Sequence, residues 1–223
     1  MIAAKKKPPA IALREADFLD ADSIAAIHAA GWHRCYAGFL PASAIEARDE
    51  HWRREAWRRK LARERRGQYT FVVEVADRVV GFASGGPVRP HEGPIEGAPN
   101  APQAPGVFAP QAFGITAPPR GSGPAVSAAE IYSVYMAPDW QRRGWGRRLV
   151  KALAARLAAD GAGRLLLWCF EDNPNRSFFA RIGGEIIASG QVLMADCRPR
   201  ETAYGWADIR GLIEACGRGA NGE

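Results

Sequence analysis

The chain has 223 residues, of which 47% are hydrophobic and 24% charged, as in a single globular domain large enough to bury a core. Its four cysteines lie far apart and include no C-x-x-C pair, which argues against a disulfide framework and against a zinc site. The net charge of +6 suits an anionic ligand, either a nucleic acid or a phosphate-bearing cofactor, and no apolar run is long enough to cross a membrane.

The first nine residues are predicted to form a disordered basic tail. Three lysines and two prolines at positions 5–9 stand where a signal peptide would have an apolar segment, so we expect a cytoplasmic protein. A single domain is predicted over residues 10–216. Residues 217–223 are expected to form a second disordered tail.

Helical and β-prone patterns alternate in the first third of the chain. Asp20 or Asp22 can cap a helix that carries apolar residues at helical spacing and ends near Gly31. The other elements predicted here are a strand at residues 11–14, a second helical region at 42–66, and the two strands of a hairpin at 68–76 and 78–84.

Residues 48–66 form the most basic segment, with nine Lys or Arg against four Asp or Glu. Trp52, Trp57 and Leu61 interleave with these charges, a pattern found on some nucleic-acid-binding faces. The alternative is an amphipathic helix that packs its tryptophans inward and leaves a solvated basic face. We favour the second interpretation, so a nucleic-acid partner is not expected.

A proline-rich segment at about residues 87–127 interrupts the domain. Ten of the sixteen prolines fall between Pro87 and Pro124, among glycines and alanines, and no periodicity survives there. Such a composition predicts an insertion that neither joins a β-ladder nor buries a core. A solvated loop is favoured over the alternative of a lid beside the ligand site.

Strands and helices alternate again after Glu130, which predicts parallel pairing around a bound ligand in this half. Gly161 and Gly163 are placed to stop a long helix. The predicted elements are a strand up to about residue 136, a helix at 144–160, a strand at 164–169, a helix at 174–182, strands at 185–194 and 201–207, and a short final helix.

The most informative stretch runs from Ile131 to Leu149. An apolar β-prone run leads through a Pro-Asp turn into two arginines, two spaced glycines and an apolar-periodic helix. Free N–H groups and the helix dipole favour an anion at such a helix start, and glycine lets a phosphate approach the backbone. No Lys-Ser or Lys-Thr follows the glycines, and Leu149 occupies the third small position of a dinucleotide site, so neither of those two phosphate motifs fits.

The six residues 141–146 instead resemble the acyl-coenzyme A loop, Q/R-x-x-G-x-G/A, of the GNAT superfamily of N-acetyltransferases. Glu130 lies four residues before Val134, where many of these enzymes place a general base. Residues 173–184 are similar to the family's helix N-x-x-[A/x]-x-x-F-Y-x-x-x-G. The resemblance spans about residues 11–215 apart from the insertion.

The resemblance implies a GNAT-like α+β fold, with a mixed, mostly antiparallel central sheet flanked by helices. Its fourth and fifth strands would splay around the acyl-coenzyme A, and pantetheine would pair with the exposed edge. The residues implied to bind acetyl-coenzyme A, as co-substrate, are Val134, Tyr135, Met136, Gln141, Arg142, Arg143, Gly144, Trp145, Gly146, Arg147 and Asn173. No metal is implied.

The family resemblance also implies a mechanism: transfer of an acetyl group to an amine of a small molecule or peptide, by direct attack in a ternary complex. Glu130, or a water that it orients, would remove the amine proton. Trp32 and Tyr36 are similar to residues that wall the acceptor pocket in a bacterial subgroup. Neither a membrane nor a metal partner is expected, and a homodimer is left open.

Phe179 departs from the family pattern, which commonly has a tyrosine that protonates the departing thiolate. Phenylalanine has no acidic proton, and its spacing with Phe178 and Ile182 predicts core packing. This departure supports an alternative function, a non-catalytic acyl-coenzyme A sensor or interaction module.

Overall fold

The computed structural model describes residues 10–63, 67–91, 95–97 and 127–218, which contain eight strands and six α-helices. The strands are β1 (Ile11–Glu15), β2 (Tyr69–Val75), β3 (Arg78–Pro87), β4 (Ile95–Gly97), β5 (Ala128–Met136), β6 (Arg164–Phe170), β7 (Glu185–Gln191) and β8 (Arg200–Trp206). The helices are α1 (Ala21–Tyr36), α2 (Ala42–Glu46), α3 (Glu50–Leu61), α4 (Trp145–Ala159), α5 (Ser177–Arg181) and α6 (Ile209–Arg218).

The strands form one mixed sheet in the order β1-β2-β3-β5-β6-β8-β7-β4. β5 and β6 are parallel and are connected through α4, whereas the other pairs among the described strands are antiparallel. The predicted GNAT-like α+β fold, with a mostly antiparallel sheet flanked by helices, is confirmed. The predicted parallel pairing around the ligand site is confirmed for β5 and β6, whereas β8 lies between β6 and β7 and runs antiparallel to both.

The parallel strands β5 and β6 stay paired only at their beginnings. Ala128, Ala129 and Glu130 pair with β6, and the rest of β5 pairs with β3 alone. A β-bulge opposite Ser84 and Gly85 leaves Tyr132 as the extra residue of β5. Bulges bend a strand and increase its twist, so this one lies where β5 turns away from β6. The predicted splay of the two strands is thereby confirmed.

Helices cover both faces of the sheet because alternate strand residues point to opposite sides. On one face, α4 buries Leu149, Leu153 and Leu157, spaced by one helical turn, and packs together with α6. On the other face, α1 and α3 pack through Ile24 and Trp57 against β2 and β3. The core therefore lies in two layers, one on each face of the sheet.

The helical predictions of the first third need two corrections. Helix α1 continues past Gly31 to Tyr36. Gly31 does not end the helix but leaves space for the Tyr135 ring, since a Cβ there would lie 2.3 Å from Cδ1 of Tyr135. The second helical region is two helices, α2 and α3, and the side chain of Asp49 caps α3 by accepting a hydrogen bond from Trp52 N at 2.8 Å.

The basic helix α3 packs only one of its two tryptophans inward. Trp57 is buried as predicted, but Trp52 is 49% exposed, so that part of the interpretation is wrong. Arg53 takes the inward position instead and is only 3% exposed. A solvated basic face remains on this helix, where Arg54 and Arg58 pair with Glu50 and Asp22.

The predicted insertion contains a short piece of sheet. Ile95–Gly97 forms β4, which pairs with β7 at the sheet edge, so the expectation that no part of the insertion joins a ladder is wrong. Residues 98–126 of the insertion, and residues 1–9 and 219–223 of the two predicted tails, lie outside the described residues. Residues 217 and 218, which were expected in the C-terminal tail, belong to α6.

Candidate active site

The splay between β5 and β6 opens into a cavity of about 500 Å³. The turn before α4, the C-terminal half of β5 and the end of α1 contribute to its wall, together with α5 and the loop before it. Ten of the residues proposed from the sequence lie in this wall, namely Tyr36, Val134, Tyr135, Met136, Gln141, Arg142, Gly144, Gly146, Arg147 and Asn173. Glu130, Trp32, Arg143 and Trp145 do not line it.

The turn between β5 and α4 presents backbone donors to the cavity. Arg142 and Gly144 adopt left-handed backbone conformations, with φ of 62° and 79°, and α4 begins directly afterwards without a side-chain cap. The N–H groups of the first three helical residues have no partner within a helix, while Arg148 N already donates to Gly144 O at 3.2 Å. This arrangement favours an anion at residues 145–147.

Two predicted loop residues hold the turn rather than face the cavity centre. The side-chain amide of Gln141 donates to Met136 O at 3.0 Å and so ties the turn back to the end of β5. The Arg143 guanidinium stacks 5.0 Å from the centre of the Trp140 ring, outside the cavity wall. Gly146 faces the Phe178 ring, and a Cβ there would make an ordinary contact at 3.5 Å.

The second part of the site is the free edge of β5. Residues 131–136 pair with β3 on one side, and on the other side β6 has already diverged. Main-chain polar groups on this edge adjoin the cavity wall formed by Val134, Tyr135 and Met136. An extended ligand can pair with such an edge as an added strand does.

Two tyrosines and an asparagine form a polar cluster in the cavity wall. Asn173 Nδ2 donates to the Tyr36 hydroxyl at 3.0 Å, and Tyr135 also lines the cavity. Burial raises the pKa of Tyr135 to about 12 and that of Tyr36 well above its usual value, so both phenols are protonated near neutral pH. Trp32 packs edge-on against Tyr36, with ring centres 4.5 Å apart.

The proposed base, Glu130, lies at the root of the splay and is 2% exposed. Arg89, from the start of the insertion, holds both of its carboxylate oxygens. The backbone N–H of Arg89 donates to Oε2 at 2.8 Å, and its side chain donates to Oε1 from Nε at 3.0 Å and from Nη2. These hydrogen bonds fix the position of the Glu130 carboxyl group and use most of its hydrogen-bonding capacity.

These features can be set against known proteins. The model of the acetyltransferase (GNAT) family matches residues 32–184, more than half of the chain. The chain belongs to the GNAT family. The N-acetyltransferase YuaI of Bacillus subtilis (strain 168), described as uncharacterized, is 24% identical over 202 residues, which cover 91% of this chain and 96% of that protein.

Solved GNAT-type structures share the fold at low sequence identity. The PaiA N-acetyltransferase of Thermoplasma acidophilum, in complex with coenzyme A, is 14% identical with a TM-score of 0.57, over 88% of this chain and 99% of that one. The putative acetyltransferase YncA of Salmonella typhimurium, with acetyl-coenzyme A, is 18% identical with a TM-score of 0.53, over 90% and 94%.

The first residues of the insertion supply GNAT-site contacts that the sequence analysis missed. His91 Nε2 is hydrogen-bonded to the carboxyl group of Glu201 in β8, and the His91 ring lies 4.3 Å from that of Trp168, which lines the cavity. Burial raises the pKa of Glu201, and the hydrogen bond with His91 opposes that shift. Arg89 lies 4.1 Å from the centre of the Tyr132 ring. The sequence signal that could have indicated these contacts is the presence of two polar side chains, Arg89 and His91, among prolines.

Phe179 occupies the position where many GNAT enzymes have tyrosine. It is buried, packs against Tyr204 with ring centres 5.8 Å apart, and also contributes to the cavity wall. The predicted core packing is confirmed. Three tyrosines in the cavity wall, Tyr36, Tyr132 and Tyr135, carry the acidic hydroxyl that Phe179 lacks, and the hydroxyl of Tyr132 donates to Pro87 O at 2.6 Å.

Two features are absent from the described part of the chain. It contains no group of three or more His, Cys, Asp or Glu side chains arranged to hold a metal ion. Nor does any helix there combine the length and the apolar character needed to traverse a bilayer.

Proposed function

We propose that this protein transfers the acetyl group of acetyl-coenzyme A to an amine by direct attack within a ternary complex. The observation that supports this most is the meeting of two ligand-binding backbone features in one cavity: the uncapped start of α4 and the free edge of β5. The first suits the coenzyme's pyrophosphate, and the second suits the amide-containing pantetheine arm. Family membership points to the same co-substrate.

Different residues of the chain bind different parts of the coenzyme. The N–H groups of residues 145–147 and the side chains of Arg142 and Arg147 bind the phosphates. The main chain of Val134, Tyr135 and Met136 binds pantetheine, and an N–H there stabilises the thioester oxyanion. Arg143 and Trp145 keep the turn in shape through their stacking contacts with Trp140 and Arg148.

The chemical step is an aminolysis of the thioester. The nitrogen lone pair forms a bond to the carbonyl carbon, the carbon–sulfur bond breaks, and its electron pair leaves with the sulfur. Glu130, through a water bound at its remaining lone-pair position, takes the amine proton. Tyr135, whose phenol stays protonated, supplies the proton to the thiolate in place of the missing tyrosine at Phe179.

The test is release of free thiol from acetyl-coenzyme A with a panel of amines, comparing the wild type with Glu130→Gln. We expect kcat to fall by about 10²- to 10³-fold, most strongly at low pH, where more of the amine must be deprotonated. Glu201→Gln is the matched control, because it also replaces a largely buried carboxyl group that is hydrogen-bonded to a side chain of the same segment, His91. An equal loss in both variants would contradict a specific role for Glu130.

A second candidate is a non-catalytic acyl-coenzyme A sensor. Two observations favour the sensor: Arg89 donates hydrogen bonds to both carboxylate oxygens of Glu130, and residue 179 is phenylalanine. It predicts binding of acetyl-coenzyme A by calorimetry with no thiol release from any amine in the panel. Turnover above the rate of spontaneous hydrolysis would rule it out.

A further inference from the structure

A buried guanidinium lies on α3, and no carboxylate among the described residues pairs with it. Arg53 is 3% exposed, and its Nη1 lies 2.9 Å from His28 Nε2. No atom of the described residues accepts a hydrogen bond from its Nε or its Nη2. A buried charge without a hydrogen-bonding partner is costly, so such a group is usually paired or binds a ligand.

The histidine beside Arg53 cannot satisfy the donors around it. Burial, with Arg53 and Lys60 nearby, lowers the pKa of His28 well below its usual value, so the ring is neutral. A neutral imidazole has one lone pair for hydrogen bonding. Both ring nitrogens, however, face donors, Arg53 Nη1 at 2.9 Å and Trp57 Nε1 at 3.2 Å. One donor therefore lacks an acceptor even here.

A second unsatisfied donor lies next to the guanidinium. The indole N–H of Trp32 is buried and has no acceptor among the described residues, and Arg53 Cζ lies 4.9 Å from the centre of the Trp32 ring. Arg48 lies 5.9 Å from the same ring and adds positive charge. Desolvation, reinforced by Arg48, lowers the pKa of Arg53 to about 10, which leaves it charged at neutral pH. The cluster of His28, Trp32 and Arg53 has donors and positive charge but too few acceptors.

The donor cluster adjoins the candidate active site. Tyr135 lines the cavity, and its ring centre is 4.7 Å from that of His28. Tyr36 also lines the cavity, and its ring packs on Trp32. The cluster therefore lies behind the α1 side of the cavity, whereas the phosphate-binding turn lies at the start of α4.

The geometry of the unsatisfied atoms indicates the ligand's chemistry. Nε and Nη2 form one edge of the planar guanidinium, which suits the two oxygens of a carboxylate. The same helix shows that contact five residues later, where Arg58 Nε and Nη2 donate to the two oxygens of Asp22 at 2.9 and 2.8 Å. Arg53 presents the same edge with no carboxylate from the described residues.

We propose that Arg53 and the Trp32 indole bind a carboxylate carried by the acceptor, so that the enzyme acetylates amino acids or similar amino-carboxylates rather than simple amines. The proposal rests on the proposed acetyl transfer and names its acceptor class. Arg53 and Trp32 do not line the cavity themselves, so a carboxylate reaches them once the side chains of Tyr36 and Tyr135, which do line it, move aside. Its amino group then remains in the cavity, on the side of the thioester.

The test compares α-amino acids with their α-carboxamides, which differ in charge but little in shape. Thiol release is measured for the wild type, Arg53→Met, Arg53→Lys and the exposed control Arg58→Met. We expect kcat/KM of the wild type to favour the acids. Arg53→Met should lose about 10- to 100-fold toward the acids and little toward the amides, as expected for a charged hydrogen bond. Arg53→Lys should recover part of the loss, and Arg58→Met should match the wild type.

Equal activity toward acids and amides, or an equal loss toward both in Arg53→Met, would overturn the proposal. A second measurement needs no turnover: the melting temperature in acetate, acetamide and chloride at matched ionic strength. We expect acetate alone to stabilise the wild type, and not Arg53→Met. Stabilisation by chloride to the same extent would show a general anion site and overturn the carboxylate assignment. If no amine is acetylated but acetate stabilises the wild type alone, the acetyl-transfer function fails while the carboxylate site stands.

Discussion

Two regions of this molecule are rich in hydrogen-bond donors, and they are built in opposite ways. At the start of α4 the donors are backbone N–H groups, aligned by left-handed residues at Arg142 and Gly144. Between α1 and α3 they are side chains, those of Trp32, Arg53 and Trp57, brought together from two helices. The first kind of site is formed by residues that are consecutive in the sequence. The second kind forms only when the two helices pack against each other.

The largest effect that can sharpen this comparison is expected from Gly144→Glu. The new carboxylate would lie at the backbone donors and repel the coenzyme phosphates, so we expect affinity for acetyl-coenzyme A to fall by at least about 100-fold. The left-handed φ of 79° adds a strain of about 1 kcal/mol to the folded state. Isothermal titration calorimetry measures the affinity, and circular dichroism checks the fold.

Gly161→Glu is the matched control for that variant. Gly161 has a φ of 96° at the other end of the same helix, and like Gly144 it has no atom within 4 Å of an added Cβ. It should show similar strain but normal coenzyme binding. Normal affinity in a folded Gly144→Glu protein would disprove the assignment of the turn to the phosphates.

The next largest effect is a difference in stability between variants of two arginines, one paired with a buried carboxylate and one not. Arg89 neutralises the buried Glu130, so Arg89→Met should destabilise the protein by about 2 kcal/mol, because it leaves a buried carboxylate without its partner. Arg53→Met instead removes a buried charge that has no carboxylate, so we expect unchanged or increased stability. Urea denaturation of both variants, at constant pH and without ligand, measures the difference. Greater destabilisation by Arg53→Met would show that its guanidinium is already well satisfied.

A smaller effect is expected from pH, through His28. Its pKa is lowered in the folded state, so unfolding lets the ring bind a proton below about pH 6.5. The stability that comes from keeping this ring neutral is present above that pH and is lost as the pH falls, by up to about 1.4 kcal/mol per pH unit. Melting temperatures between pH 8 and pH 5 measure it. His28→Gln should flatten the profile, and an unchanged slope in this variant would show that another group is responsible.

The same contrast explains what the sequence could predict. The loop at 141–146 and the strands and helix around it were recognisable because each feature spans a few neighbouring residues. The pairing of Glu130 with Arg89 joins residues separated by 41 positions, and the burial of Arg53 depends on how α3 rolls against α1. A helical pattern with several arginines and two tryptophans does not specify which of them faces inward, so the pattern predicts two buried tryptophans where the fold buries Trp57 and Arg53.

The smallest expected effect is also the most selective test of the backbone site. Gly146 lies in the first turn of α4, where alanine would raise the stability of the helix by about 0.5–1 kcal/mol. The added methyl group would meet only the Phe178 ring at 3.5 Å, an ordinary contact. A phosphate bound close to this backbone would be displaced, so Gly146→Ala should melt at a higher temperature yet bind acetyl-coenzyme A several-fold more weakly. If stability and affinity rise together, no phosphate approaches residue 146, and the coenzyme contacts lie nearer to Gly144 and Arg142.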